Sequence, residues 1–270
     1  MITVLGASGF IGSQLVKQLQ AGGRDYQAIG RNDPLPNKQL GDVIYCIGVT
    51  ADFRSRLLDT VDAHVCRLHD LVSNHEFDSL LYLSSTRVYA GADSGDEEQP
   101  LRVTPREADE LYNISKAMGE SLTLNCGRNT RVARVSNVYG SDFASENFLS
   151  SVLKDVIAKG KVVLRTAPDS AKDYISVGDV VSSLLQIATS GRERIYNVAS
   201  GINVSHKELA EKLRDLTGCE IEFAPGAETV TFPQINIERM RSEFHFAPAS
   251  ILDELADLVR LYESNREALK

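Results

Sequence analysis

The chain has no tryptophan, only three methionines, and eight prolines and four cysteines in 270 residues. Cys46, Cys66, Cys126 and Cys219 are scattered, with no CxxC pair and no histidine at ligand spacing. That sets aside a disulfide framework and a cysteine-built zinc site, and it reads as free thiols in a reducing compartment. His64 and His69 lie five apart and off a shared helical face, so no metal is expected. Long apolar runs are also missing. The longest, 43–49, falls far short of the ~20 residues that span a bilayer, and no membrane association is expected. The opening Met1-Ile-Thr-Val-Leu-Gly6 has no basic n-region, which points to a cytoplasmic protein. Basic residues are outnumbered, 29 Lys+Arg against 37 Asp+Glu, and a net charge of −8 argues against a nucleic-acid surface.

What is present is an ordinary globular composition, 43% hydrophobic and 24% charged, in a chain long enough to bury a core without covalent help. Apolar runs at 2–5, 26–29, 42–47, 80–83, 131–135 and 195–198 read as strands, several of them apolar on both faces. Between them, 11–19, 57–72, 114–125, 148–158 and 180–188 carry apolar residues at three- and four-residue spacing. This alternation predicts an α/β fold, a Rossmann-like doubly wound parallel sheet. After Val198 the texture changes: Ser205 to Glu208 forms a capping box, a helix runs to Leu216, a strand covers 220–223, and an amphipathic helix covers 251–262. The expected division is a dinucleotide-binding domain over 1–140 with a return segment at about 172–200. A small C-terminal α/β substrate-binding lobe then takes 141–171 and 201–270.

Three segments carry chemistry. The first strand runs into Gly6-Ala-Ser8-Gly9-Phe10-Ile11-Gly12 and then a helix. Glycines allow the sharp bend and close backbone approach that a pyrophosphate needs, and the helix N-terminus offers free N–H groups. At the end of the second strand stands Gly30-Arg31-Asn32 in place of a carboxylate. A guanidinium there pairs with a 2′-phosphate, which favours NADP, while nearby Asp33 keeps NAD open. The second segment, Tyr112-Asn-Ile-Ser-Lys116, sets a phenol and an ammonium four apart on one helical face, the layout of a general acid/base with a cationic neighbour. The third, Leu81-Tyr-Leu-Ser84-Ser85-Thr86, ends a buried strand in hydroxyls at the carboxyl edge of the sheet.

In combination and in this order, these segments resemble the extended short-chain dehydrogenase/reductase family, in its NAD(P)-dependent nucleotide-sugar epimerase/dehydratase branch. Asn137-Val-Tyr-Gly140, Lys172-Asp-Tyr-Ile-Ser-Val-Gly-Asp179 and Tyr196-Asn-Val-Ala-Ser-Gly201 add to the match. The resemblance implies that Tyr112 is the catalytic acid/base, Lys116 its partner and a ribose ligand, and Ser85 the substrate-orienting hydroxyl with Thr86 beside it. It also implies that Asn137 and Asn147 lie along the substrate. Lys172 stands where the family usually has an arginine on the sugar-nucleotide diphosphate, and a lysine loses the forked geometry.

Other departures narrow the reaction. Family members that act as 4,6-dehydratases carry an acidic pair where this chain has Thr86 and Arg87. His64 replaces a frequent asparagine and reads as a neutral core histidine. Only ten residues, 32–41, precede Asp42, too few for the helix and third strand usually found there. The expectation is an NADP-dependent oxidoreductase that reduces a keto-sugar nucleotide, a 4-keto-6-deoxyhexose, with hydride from the nicotinamide and a proton from Tyr112. A 4-epimerase with retained NAD and a non-catalytic dinucleotide-sensing module are the alternatives. A homodimer through the helices at 57–72 and 114–125 is expected by the same resemblance.

Overall fold

The computed structural model describes residues 1–36, 39–49, 52–107 and 109–269. In chain order the strands are β1 (Ile2–Leu5), β2 (Tyr26–Ile29), β3 (Asp42–Tyr45), β4 (Ser79–Ser85), β5 (Thr130–Val135), β6 (Asn137–Tyr139), β7 (Lys161–Leu164), β8 (Ala171–Ser176), β9 (Ile195–Val198), β10 (Asn203–Ser205) and β11 (Glu220–Phe223). Six of them form the main sheet in the order β2-β1-β3-β4-β5-β9, parallel throughout. The chain therefore leaves β1 first to one side and then to the other. That reversal opens a crevice beyond the carboxyl ends of β1 and β3, where open α/β sheets bind ligands. Among the described residues no strand lies outside β2, so the short connection to β3 leaves β2 as the sheet edge.

Alternation along each strand explains why the sheet is covered twice. Val4, Ile44, Leu81, Leu83 and Val135 enter one core, and Leu5, Val43, Tyr45, Leu80, Tyr82 and Val132 enter the other. The helices are α1 (Phe10–Ala21), α2 (Leu57–Val61), α3 (Arg67–Asn74), α4 (Glu110–Asn125), α5 (Phe148–Lys159), α6 (Val177–Ser190), α7 (His206–Thr217), α8 (Glu238–Phe244) and α9 (Ile251–Ser264). Leu15 and Leu19 of α1 and Val180 and Leu184 of α6 cover the first face. Leu68 and Leu71 of α3 and Tyr112 of α4 meet the second. The helical stretch expected over 57–72 is interrupted by a π-helical segment, Asp62–Cys66, which turns His64 fully inward.

A separate apolar core joins α5, α7 and α9 with the two-stranded pair β11-β7 and with Tyr139, Tyr174 and Val204. The capping box at Ser205 and Glu208 starts α7, and Gly218 in the left-handed region ends it. The short sheet β10-β8-β6 stands between this core and the main sheet. One piece of the expected lobe packs elsewhere: Met240 of α8 is fully buried in the core of the main sheet, with Phe244 and Phe246 against it.

The catalytic helix candidate, α4, is tied to the sheet by charge. Arg134 on β5 forks onto Glu120 at 3.0 and 2.7 Å, and its other nitrogen donates to the Tyr89 hydroxyl at 2.7 Å and to the Glu97 carbonyl at 3.1 Å. Both side chains of the pair are 4% exposed. Burial works against the guanidinium charge, and Glu120 overrides it and raises the pKa of Arg134. Glu120→Gln keeps the shape and strands a buried cation, so it should cost about 3–5 kcal/mol. Urea unfolding measures it, and a loss below about 1 kcal/mol would show the pair to be incidental.

Candidate active site

The glycine turn sits at the switch point. Gly6 has φ +81°, and a Cβ there would stand 2.9 Å from the Cys46 carbonyl carbon and the Ile47 nitrogen. A Cβ on Gly12 would meet the Gly6 carbonyl oxygen at 2.2 Å, so the first turn of α1 packs directly on the loop. Helix α1 has Gly9 as its N-cap, with no side-chain cap and no acid in its first turn. Its leading N–H groups and the positive end of its dipole therefore stay free for an anion. These residues fit the pyrophosphate of a dinucleotide. Ser8, Phe10, Ile11 and Arg31 line the same cavity of about 650 Å³.

On the adenosine side, the Arg31 guanidinium donates to the Gly48 carbonyl, and Arg67 donates to the Arg31 carbonyl. Asp33 turns back, its carboxylate accepting the Gly30 N–H at 2.7 Å. The carboxylate is thus engaged in the turn after β2, while the cation reaches across to the loop after β3.

The same cavity is lined by Ser85, Thr86, Tyr112 and Lys116. Strand β4 delivers Ser85 at its carboxyl end, and the serine caps the short 3-10 turn Thr86–Tyr89 by accepting the Arg87 N–H at 3.2 Å. Its hydroxyl also lies within hydrogen-bonding reach of the Tyr112 phenol. Ser84 Oγ next to it is buried with no hydrogen-bond partner among the described residues. Tyr112 and Lys116 are both buried on α4. Burial raises the phenol above its ordinary pKa, and the Ser85 side chain and the Arg87 guanidinium, in that order, pull it back. Lys116 Nζ donates to the Leu83 carbonyl at 2.8 Å, and burial brings its pKa down to about 7. Burial thus leaves the phenol above its ordinary value and the ammonium below.

His64 stands behind this set. Its Nε2 receives the Val49 N–H at 3.3 Å, Nδ1 meets Ser115 Oγ at 2.9 Å, and its ring lies 5.2 Å from that of Tyr112. Burial brings its pKa down to about 2, so it is a neutral side chain packed in the core.

Asn137, Asn147 and Lys172 complete the far end of the cavity. Asn137 donates to the Asp173 carbonyl at 2.8 Å, and Asn147 caps α5 by accepting the Ser150 N–H at 2.9 Å. Lys172 lies 5.0 Å from the Phe148 ring, and its pKa is lowered to about 8 by burial and then by Arg87 and Arg54. Asp173 beside it is fixed by Ser136, Ser200, Gly201 and Ile202, all donating to its carboxylate. Sequence reasoning did not single out Phe53 or Cys46 as lining residues, and it treated Arg87 only as a missing acid. A lone phenylalanine in a loop gives no sequence signal. The cation two residues after Ser85 gives one.

A doubly wound parallel sheet with a phosphate-fitting turn at its switch point and a hydroxyl–phenol–ammonium set in the adjoining cavity defines the class of Rossmann dinucleotide enzymes. A profile of the NAD dependent epimerase/dehydratase family matches residues 43–199. The chain belongs to that family, and so to the NAD(P)-dependent enzymes of nucleotide-sugar chemistry. Among curated relatives it is similar to a dTDP-glucose 4,6-dehydratase of Streptomyces griseus, at 27% identity over 98% of this chain and 94% of that one. It is also similar to a dTDP-4-dehydro-6-deoxy-D-allose reductase of a Streptomyces species, at 24% identity over 98% and 97%. Among solved structures, MoeE5 in complex with UDP-glucose and NAD superposes with a TM-score of 0.82 at 21% identity, covering 100% of this chain and 99% of that one. RMD from Pseudomonas aeruginosa complexed with NADPH gives 0.79 at 21% identity, over 98% and 99%. Among the described residues no helix is long and apolar enough to cross a membrane.

The Lys116 environment has a consequence for stability. Unfolded lysine titrates near 10.4, and here the folded value is about 7. Below about 7 both states hold the proton and the burial penalty is complete. Between the two values the unfolded state holds more protons, so stability rises with pH. In nucleotide-free protein, the stability of wild type relative to Lys116→Met should therefore increase from pH 7 to pH 9 in urea unfolding. Parallel curves would contradict the assignment.

Proposed function

We propose that the protein is an NADP-dependent reductase of a keto-sugar nucleotide, with a 4-keto-6-deoxyhexose as the reacting sugar. The observation that carries this reading is the convergence of Ser85, Tyr112 and Lys116 with the glycine turn and Arg31 on one cavity, with a threonine and an arginine, not acids, following Ser85. When bound, the nicotinamide supplies or accepts the hydride. Gly6, Gly9 and Gly12 give the pyrophosphate its approach, and Arg31 is the cation for the 2′-phosphate. Ser85 donates to the carbonyl oxygen of the substrate and Tyr112 protonates it. A phenol held above its ordinary value keeps its proton at neutral pH, which suits an acid in the direction of reduction. Lys116 holds the nicotinamide ribose, and its ammonium recovers charge as it gains polar partners. Asn137, Asn147 and Lys172 take the sugar and diphosphate, with Thr86 beside the reacting carbon.

In this reading residues 1–140 with 172–200 form the dinucleotide-binding domain, and 141–171 with 201–270 the substrate lobe, except that α8 packs on the main sheet. The protein works in the cytoplasm. Two copies pair through α2 to α4, whose surface shows Leu58 86% and Met118 55% exposed. Sedimentation velocity reads that pairing, and a monomer would contradict it.

Tyr112→Phe should lower NADPH turnover by at least about 10²-fold, the scale of a lost general acid, with NADPH affinity changed less than about threefold. Consumption of NADPH across a panel of keto-sugar nucleotides, followed at 340 nm, is the assay. Turnover unchanged by the substitution would remove Tyr112 from its role, and tightly held NAD with product isomerisation would favour the 4-epimerase.

A further inference from the structure

The adenosine end of the cavity is assembled by the short connection after β2. Gly6 and Ala7 both donate to the Ile29 carbonyl, at 2.8 and 3.0 Å, so the glycine turn and the turn after β2 form one unit. With no strand outside β2 among the described residues, the helical stretch that follows β3 reaches this turn. Its π-helical segment, Asp62–Cys66, is tied to the sheet by two buried tyrosines. The Tyr45 hydroxyl on β3 donates to the Ala63 carbonyl at 2.7 Å, and the Tyr82 hydroxyl on β4 donates to the His64 carbonyl at 3.2 Å. Arg67, the first residue of α3, follows directly and so starts from a fixed point.

The Arg67 guanidinium is spread along the turn, against Arg31 and the exposed Asn32. One terminal nitrogen donates to the Arg31 carbonyl, the other lies 3.5 Å from Asn32 Oδ1, and Nε donates to Asp62 at 2.9 Å. The side chains of Arg67 and Asp62 are 35% and 52% exposed, so that ion pair is a weak hold on the cation. Arg31 lines the cavity and reaches the Gly48 carbonyl. Guanidiniums from two separate elements thus meet at one turn. The acid of that turn, Asp33, is occupied by the Gly30 N–H at 2.7 Å.

We propose that Arg67 is a second specificity-determining cation of the cofactor site, taking the 2′-phosphate of NADP together with Arg31. The inference rests on NADP as the cofactor. In a doubly wound fold the adenosine ribose lies at the carboxyl end of β2, so its 2′ position faces the turn that both arginines touch. A phosphate monoester there carries about −1.5 to −2 charge and three acceptor oxygens, more than one guanidinium satisfies. Arg31 meets it from the cavity side and Arg67 from the side of α3. The nitrogen of Arg67 now 3.5 Å from Asn32 is the one free to turn to it, while the bond to the Arg31 carbonyl keeps the cation in place. A ribose with a plain 2′-hydroxyl offers Arg67 no anion. The contact therefore separates NADP from NAD and does not strengthen both.

The test needs neither substrate nor turnover. Calorimetric titration of the full-length protein with 2′,5′-ADP and with 5′-AMP compares two ligands that differ only in the 2′-phosphate. It is run on wild type, Arg31→Gln, Arg67→Gln, Arg67→Met and Arg67→Lys, with circular dichroism to confirm that each variant is folded. Loss of the charge in Arg67→Gln and Arg67→Met should weaken 2′,5′-ADP by at least about tenfold and 5′-AMP by less than about threefold. Arg67→Lys should lose less than either neutral variant, because it keeps the charge without the fork. If folded Arg67→Gln and Arg67→Met weaken both ligands alike, or neither, Arg67 only supports the turn and the proposal falls. The NADP reading then stands, provided that wild type prefers 2′,5′-ADP and Arg31→Gln removes the preference. A wild type that binds the two ligands equally would overturn the NADP reading itself, and Arg67 with it.

Discussion

Everything at this site depends on where α4 sits, and the buried pair between Glu120 and Arg134 decides that. The helix presents Tyr112 and Lys116 one turn apart. Glu120 is one turn further on, and Arg134 holds it to the central strand β5. The same guanidinium reaches Tyr89, which closes the 3-10 turn that starts at Ser85, and the Tyr89 hydroxyl donates to Asn197 on β9 at 2.8 Å. One cation therefore fixes the helix that carries the phenol relative to the strand end that carries the hydroxyl. Such a pair gains little over an apolar replacement but is costly to break, so its value lies in fixing one geometry.

Charge organises the cleft in a second way. The chain carries −8 overall, yet Arg31, Arg87, Lys116 and Lys172 all face the cavity. Of the acids along the wall, Asp173 is saturated by hydroxyl and backbone donors. Burial lowers the proton affinity of Lys116 and Lys172 in the free protein, and at Lys172 the Arg87 and Arg54 charges add to it. A polyanionic ligand relieves both penalties at once, so a site for phosphates can exist within an acidic protein.

The parts legible in the sequence were those fixed by local rules. Short apolar runs, several of them two-sided, marked the six strands of the main sheet, glycine spacing marked the turn, and the Ser205–Glu208 box marked the start of α7 within a residue. The connection too short for a further helix and strand showed in the residue count alone. The short strands β6, β8 and β10 were not separable from loops, because polar residues such as Asn137, Lys172, Asp173 and Asn203 break up the apolar runs that marked the other strands. The π-helical segment that turns His64 inward escaped because 57–72 has an unbroken helical pattern. The packing of Met240 onto the main sheet is a tertiary choice that no local pattern records. At the site, the spacing of Tyr112 and Lys116 was readable. The burial that splits their proton affinities from their ordinary values was not, nor was Phe53, brought in from a separate loop.

The proposed net reduction requires hydride to leave the cofactor and stay in the product. Deuterium transfer tests this most directly. The protein is incubated with NADPH deuterated at the transferring C4 position and a 4-keto-6-deoxyhexose nucleotide, and the product is read by mass spectrometry. Net reduction leaves one deuterium per product molecule, bound to the carbinol carbon, with one NADPH consumed for each. A deuterium-free isomer formed with no loss of NADPH would contradict it.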